Sequence, residues 1–145
     1  MIPDEFIQMA KAYRVLSDLE PKHLKKLLPL AHEASFKAGE IIFREGDRSR
    51  NLHLIVSGEI ALETAGTRVQ TLHTGEAMGW SALMAGSRTH FQARAITPVA
   101  TVAFSGDSLQ AACDQDPEIG YALMKNLLEL VTERLDATRM QMAAS

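Results

Sequence analysis

Apolar positions follow three successive rhythms along the chain. Over residues 3–19, Phe6, Met9, Ala10, Tyr13 and Leu16 recur at i, i+3, i+4 and i+7, which predicts an amphipathic helix. A second short helix is predicted over 21–28. Glu20-Pro21 suits its start, Pro29 ends it, and Leu24, Leu27 and Leu28 oppose a solvated face of Lys22, Lys25 and Lys26. From residue 34 to 104 the period falls to two. Short apolar segments (41–43, 52–56, 59–63, 68–72, 92–95 and 99–104) alternate with glycine-bearing turns, the pattern of an antiparallel β-sandwich or roll. Leu52, Leu54 and Val56 alternate with His53, Ile55 and Ser57, and Ile60 and Leu62 with Glu59, Ala61 and Glu63. One face of each strand is therefore expected in the core, with Ser57-Gly58 as the hairpin between them and Ala65-Gly66 as the next.

After residue 104 the helical period returns. Ser105 or Asp107 can cap a helix through about residue 114, with Leu109, Ala112 and Cys113 on its core side. Asp116-Pro117 then opens the longest helix, 118–142, roughly 36 Å long. It carries two apolar stripes. Met124, Leu128, Val131, Leu135, Thr138 and Met142 step as a heptad seam, and Leu123, Leu127, Leu130, Arg134 and Ala137 lie beside it. One stripe can pack on the parent domain while the other meets a partner helix, so a homodimer through 118–142 is expected.

Size and charge narrow the function. The chain has 145 residues, 46% of them hydrophobic, which is one domain with a real core. A net charge of −3 argues against nucleic-acid or anionic-membrane surfaces. No run of 18 apolar residues and no signal peptide occur, and the single cysteine, Cys113, excludes an intrachain disulfide; a cytoplasmic protein follows. The five histidines, at 23, 32, 53, 73 and 90, show no H-x-H, H-E-x-x-H or C-x-x-C-H spacing, so neither a metal nor a haem is expected. No Ser-His-Asp or Cys-His arrangement stands out either, and an enzyme is not expected.

The candidate chemistry sits in residues 75–95. Gly79 lets backbone approach a ligand closely, and Ser81 is a candidate N-cap for a helical turn over 82–85. Exposed N–H groups there would favour an anion, and Arg88 would fork onto phosphate oxygens.

Three stretches give the chain a resemblance: "FKAGEIIFREGD" at 36–47, "LHLIVSGEIAL" at 52–62, and "DPEIGYALM" before the long helix. With the 75–95 segment they resemble the cyclic nucleotide-binding domain superfamily, close to the effector domain of catabolite-activator-type bacterial regulators. The resemblance implies one domain over 1–145: N-terminal helices (1–30), a jelly-roll-like antiparallel β-roll (34–104), then a hinge helix and long dimerisation helix (106–142). Regulators of this type carry a helix-turn-helix after the long helix; with the sequence ending at Ser145, no direct DNA binding is expected. The resemblance further implies that 75–95 is a phosphate-binding cassette for a cyclic nucleotide (cAMP or cGMP) or another small anionic effector. Gly79, Arg88 and Thr89 match its phosphate half, Ser81 and Ala82 lie in its loop, and Arg134 and Thr138 occupy positions from which the long helix touches the base. One position departs. Where the family has a glutamate that accepts from the ribose 2′-hydroxyl, this chain has Trp80, which offers only an N–H donor. Losing that acceptor costs about 1.5–3 kcal/mol, roughly 10–150-fold in affinity. Three readings follow: Trp80 plugs the site, leaving a dimerisation or protein-interaction module; another anion binds through Gly79, Ser81, Arg88 and Thr89; or a cyclic nucleotide binds in an altered pose.

Overall fold

The computed structural model describes residues 10–84 and 86–144. Most of the helix expected over 3–19, including Phe6 and Met9, lies outside the described residues. The described remainder is two 3-10 turns, Ala10–Ala12 and Arg14–Leu16. Between them Tyr13 is extended, at φ −77 and ψ 125, and its hydroxyl donates to the Ile55 carbonyl at 2.9 Å. Ala10, Tyr13, Val15, Leu16 and Leu19 are all buried. The apolar spacing thus marked Ala10, Tyr13 and Leu16 for burial, while over the described residues packing against the sheet favours 3-10 turns over an α-helix. The Ile55 carbonyl also accepts from the Gly75 N–H at 3.0 Å, so it stays paired without the hydroxyl. Tyr13→Phe is accordingly expected to cost only about 0.5–1.5 kcal/mol, a fall of a few degrees in a thermal melt.

Eight strands follow: β1 (Ala31–Phe36), β2 (Ile41–Phe43), β3 (Asn51–Ser57), β4 (Ile60–Thr64), β5 (Thr67–Leu72), β6 (Ala77–Met78), β7 (Gln92–Ala95) and β8 (Val99–Ser105). They form two four-stranded antiparallel sheets, ordered β1-β8-β3-β6 and β2-β7-β4-β5. The roll begins at Ala31 rather than 34, because β1 pairs with β8 from Ala31–Phe104 through Phe36–Val99.

Two expectations need correction. β3 is buried on both faces: Leu52, His53, Leu54 and Ile55 are all buried. Leu52 and Leu54 join the core under the helices, and Ile55 joins the core between the sheets. Alternation reads a half-buried strand, and this strand is covered twice. Nor is Ser57-Gly58 a hairpin. β3 and β4 lie in different sheets, so it is the corner that carries the chain across. Gly58 has φ +97, and a Cβ there would collide with the Pro98 carbonyl. Ala65-Gly66 is the hairpin expected, with φ 51 and 76, the positive pair of a type I′ turn.

Among the described residues three α-helices clothe the first sheet: α1 (Pro21–Leu27), α2 (Gly106–Gln115) and α3 (Pro117–Ala144). Of the two candidate caps for α2 the structure uses Ser105, whose Oγ accepts from the Ser108 N–H at 3.4 Å. At the α2–α3 junction Lys26 Nζ reaches Asp116 at 2.8 Å, and His23 Nε2 lies 3.2 Å from the Glu118 carboxylate. Leu123 and Leu127 of α3 are buried in the helix-side core, and Asn126 donates to the Val15 carbonyl at 2.9 Å. The two stripes therefore separate: one packs on the domain, while Met124, Leu128, Val131, Leu135 and Met142 stay exposed. Among the described residues no helix is long and apolar enough to cross a membrane.

Candidate functional site

The cassette begins where β6 ends. Gly79 turns the chain in the left-handed region at φ 78 and is itself the N-cap of a 3-10 turn, Trp80–Leu83. The expected cap, Ser81, is inside that turn. Its buried Oγ donates instead to Ser49 Oγ at 2.8 Å, because the tight glycine turn starts the helix two residues early. The expected span over 82–85 is corrected accordingly, and Ala85 lies outside the described residues. A Cβ on Gly79 would collide with the Asn51 carbonyl. The cassette is thus pressed against the start of β3.

Ala82 faces the hinge, away from the Trp80–Arg134 cavity. It is buried, its carbonyl accepts from Gln110 Nε2 of α2 at 3.1 Å, and a Cβ on Gly106 would strike that same carbonyl. Cassette and hinge helix are in direct contact.

Thr89 is buried and donates through Oγ1 to the Arg44 carbonyl at 2.6 Å. Arg88 is exposed, and its Nη1 donates to the Gly46 carbonyl at 2.9 Å. Thr138 is exposed on α3 and donates to the Arg134 carbonyl at 2.9 Å, back-bonding its own helix.

Arg134 does reach the cassette. Its guanidinium lies 4.0 Å over the Trp80 ring, and its Nη2 donates to the Ala77 carbonyl at 3.2 Å. Such stacking contributes about 0.5–2 kcal/mol. Burial draws the Arg134 pKa down to about 10, with Glu76 opposing the fall, so it stays cationic at neutral pH. Trp80 packs against the helix-side core.

A small cavity between roll and α3 gathers five of the eight candidate residues: Gly79, Trp80, Ser81, Thr89 and Arg134, with Met78 among its apolar walls. Its volume is about 50 Å³. A water molecule occupies about 30 Å³ in the liquid, and benzene enters an engineered cavity of about 150 Å³. A nucleotide does not fit while Trp80 and Arg134 hold these positions. Arg88, Ala82 and Thr138 do not line it.

Sequence reasoning passed over a second, larger cavity of about 370 Å³, which shares Phe43, Gly79 and Thr89 but turns toward Asp47–Asn51 and His53. His53 is buried beside Thr101, with Nδ1 2.9 Å from its Oγ1. Burial, reinforced by His32, pushes the His53 pKa down to about 4, so the ring is neutral at pH 7. Strand alternation gave no sign of this, since it placed His53 on an open face.

Comparison with known proteins bears on the same elements. Residues 33–116 match the family model for the cyclic nucleotide-binding domain. A candidate cyclic nucleotide-binding protein from Geobacter metallireducens is 30% identical, with a TM-score of 0.82 over 93% of this chain and 99% of its own. A cyclic nucleotide-binding domain from Methylobacillus flagellatus superposes with a TM-score of 0.83 at 17% identity, over 95% of this chain and 84% of its own. The catabolite activator protein of Thermus thermophilus gives 0.72 at 21% identity, over 90% of this chain and 62% of its own. The last two share the fold. Among curated proteins no sequence matches.

Proposed function

Because the chain belongs to the cyclic nucleotide-binding domain family, we propose that it is a non-enzymatic regulatory domain whose effector site is held shut by its own side chains. A small anionic effector of the cyclic nucleotide type, cAMP or cGMP, enters as Arg134 leaves the Trp80 ring. One observation carries the reading: the guanidinium of a helical arginine stacked 4.0 Å over the residue that replaces the ribose acceptor. Arg134 belongs to α3, so displacing it acts on the helix that would carry the signal. In energetic terms the effector must offset the Arg134–Trp80 contact, and only a ligand that prefers the open arrangement shifts the balance. Arg88 would join by exchanging the Gly46 carbonyl for phosphate, a stronger, charge-assisted partner. The net charge of −3 supports a small-molecule effector rather than nucleic acid.

The second reading is a permanently closed scaffold that acts as a dimerisation or protein-interaction module, favoured by the cavity's 50 Å³. Calorimetric titration with cAMP and cGMP separates the two. A heat of binding that survives in wild type and is lost in Arg88→Ala supports the sensor. Silence at millimolar nucleotide, in wild type and in a Trp80→Glu variant alike, leaves only the scaffold.

Either way the domain acts as a homodimer through α3. Leu128 and Leu135 are 67% and 65% exposed, large apolar groups at heptad spacing that a partner helix would cover. Sedimentation is expected to give a dimer for wild type and a monomer for the Leu128→Glu, Leu135→Glu double variant. A monomeric wild type at high micromolar concentration would remove the seam from the proposal.

A further inference from the structure

The 370 Å³ cavity falls within the range of roughly 300–1,000 Å³ typical of small-molecule sites, and none of Trp80, Ser81 or Arg134 lines it. Its rim and its floor differ in chemistry. Arg48 and Arg50, both exposed, line it with Asp47. Arg14, Arg94 and Arg139 each have a carboxylate partner, whereas neither Arg48 nor Arg50 has one among the described residues. The Asp47 carboxylate is engaged by the Arg44 backbone N–H at 3.0 Å. Ser49, between the two arginines, turns into the cassette to meet Ser81. Two guanidinium forks without counter-ions at one opening suit a dianionic phosphate better than a monocarboxylate, which one fork satisfies.

The floor is polar and buried. His53 and Thr89 are 6% and 7% exposed and both line the cavity. His53 Nδ1 is engaged by Thr101, while its Nε2 has no partner among the described residues. That nitrogen is not sealed from solvent, since among the described residues His23 Nδ1 is the enclosed side-chain nitrogen without a partner, so it is open to a hydrogen-bonding group in the cavity. Phe43 adds a flat apolar wall.

We propose that this cavity is a second ligand site, adjoining the cassette at Gly79 and Thr89 but apart from the Trp80–Arg134 cavity, for a mononucleotide-sized phosphate monoester. The phosphate lies on Arg48 and Arg50, a planar ring lies along Phe43, and a hydrogen-bonding edge of that ring meets His53 Nε2. Because Trp80 and Arg134 do not line it, the site does not require Arg134 to leave the Trp80 ring, and the two readings are tested separately.

The test uses 5′-AMP, adenosine and inorganic phosphate as probes, followed by calorimetry and by the NMR signals of the His53 imidazole and the Trp80 indole. With 5′-AMP the His53 signal is expected to shift saturably while the Trp80 indole stays in place. Adenosine, which lacks the phosphate, is expected to bind about tenfold or more weakly than 5′-AMP. The Arg48→Ala, Arg50→Ala double variant is expected to lose about tenfold or more, and the matching lysine pair, which keeps the charge without the fork, to fall between. Both positions are exposed, so these variants should fold; an unchanged thermal melt checks it. The proposal is overturned by an unmoved His53 signal at low-millimolar 5′-AMP, by a shift confined to Trp80, or by a double variant that binds as tightly as wild type.

Discussion

Gly79→Ala is expected to destabilise the domain by about 2–5 kcal/mol, read as a lower midpoint in urea or thermal unfolding. Two costs combine. At φ +78 the backbone is left-handed, which charges an L-residue about 1–2 kcal/mol. The new methyl also collides with the Asn51 carbonyl at the start of β3, and forcing atoms into packed backbone adds about 1–3 kcal/mol. Gly75 separates the two. It has φ +92, yet nothing lies within 4 Å of a Cβ built there, so Gly75→Ala should cost only the conformational part, about 1–2 kcal/mol. Equal losses in the two variants would mean that the cassette yields and that its contact with β3 is not rigid.

Trp80→Glu is expected to raise affinity for cAMP and cGMP by roughly 10–150-fold over wild type. The change has three physical parts. It removes a ring from a cavity of about 50 Å³. It removes the surface on which Arg134 stacks. It supplies the charged acceptor that a ribose hydroxyl lacks in this chain. One effect works against the gain: a carboxylate there would attract Arg134 and compete with the ligand, which favours the lower end of the range. Trp80→Gln isolates the ring, since it frees the space but offers only a neutral acceptor, and should gain less. If neither variant binds more tightly than wild type in calorimetry, Trp80 is not what closes the site.

The turn at Gly79 was legible because its marker is local: it depends on glycine's freedom at positive φ. The split of α3 into a buried and an exposed stripe was legible for a similar reason. Leu123 and Leu127 lie on one side of a 3.6-residue period and Leu128 and Leu135 on the other, whatever packs there. Where two sequence-distant segments meet, the sequence was silent. Ser81 looks like a cap until Ser49 is seen to accept from it. Ala82 looks like a ligand-facing residue until Gln110 is found on its carbonyl.

By itself the sequence determined the β-roll, the helices from Pro21 and after residue 105, and the turn at Ala65-Gly66. These depend on periodicity and on which residues tolerate positive φ, properties that each short segment carries alone, while the family was legible as a resemblance of whole motifs. Tertiary structure decided the rest. It buried both faces of β3, made Ser57-Gly58 a corner between sheets, and set Arg134 over Trp80 across 54 residues of chain. It also brought Arg48 and Arg50 to the opening of a cavity floored by His53. The physical reason is common to all four. Burial on a second face, a sheet-to-sheet crossing, a stacked cation and a cavity each need two surfaces, and a one-dimensional pattern describes one surface at a time.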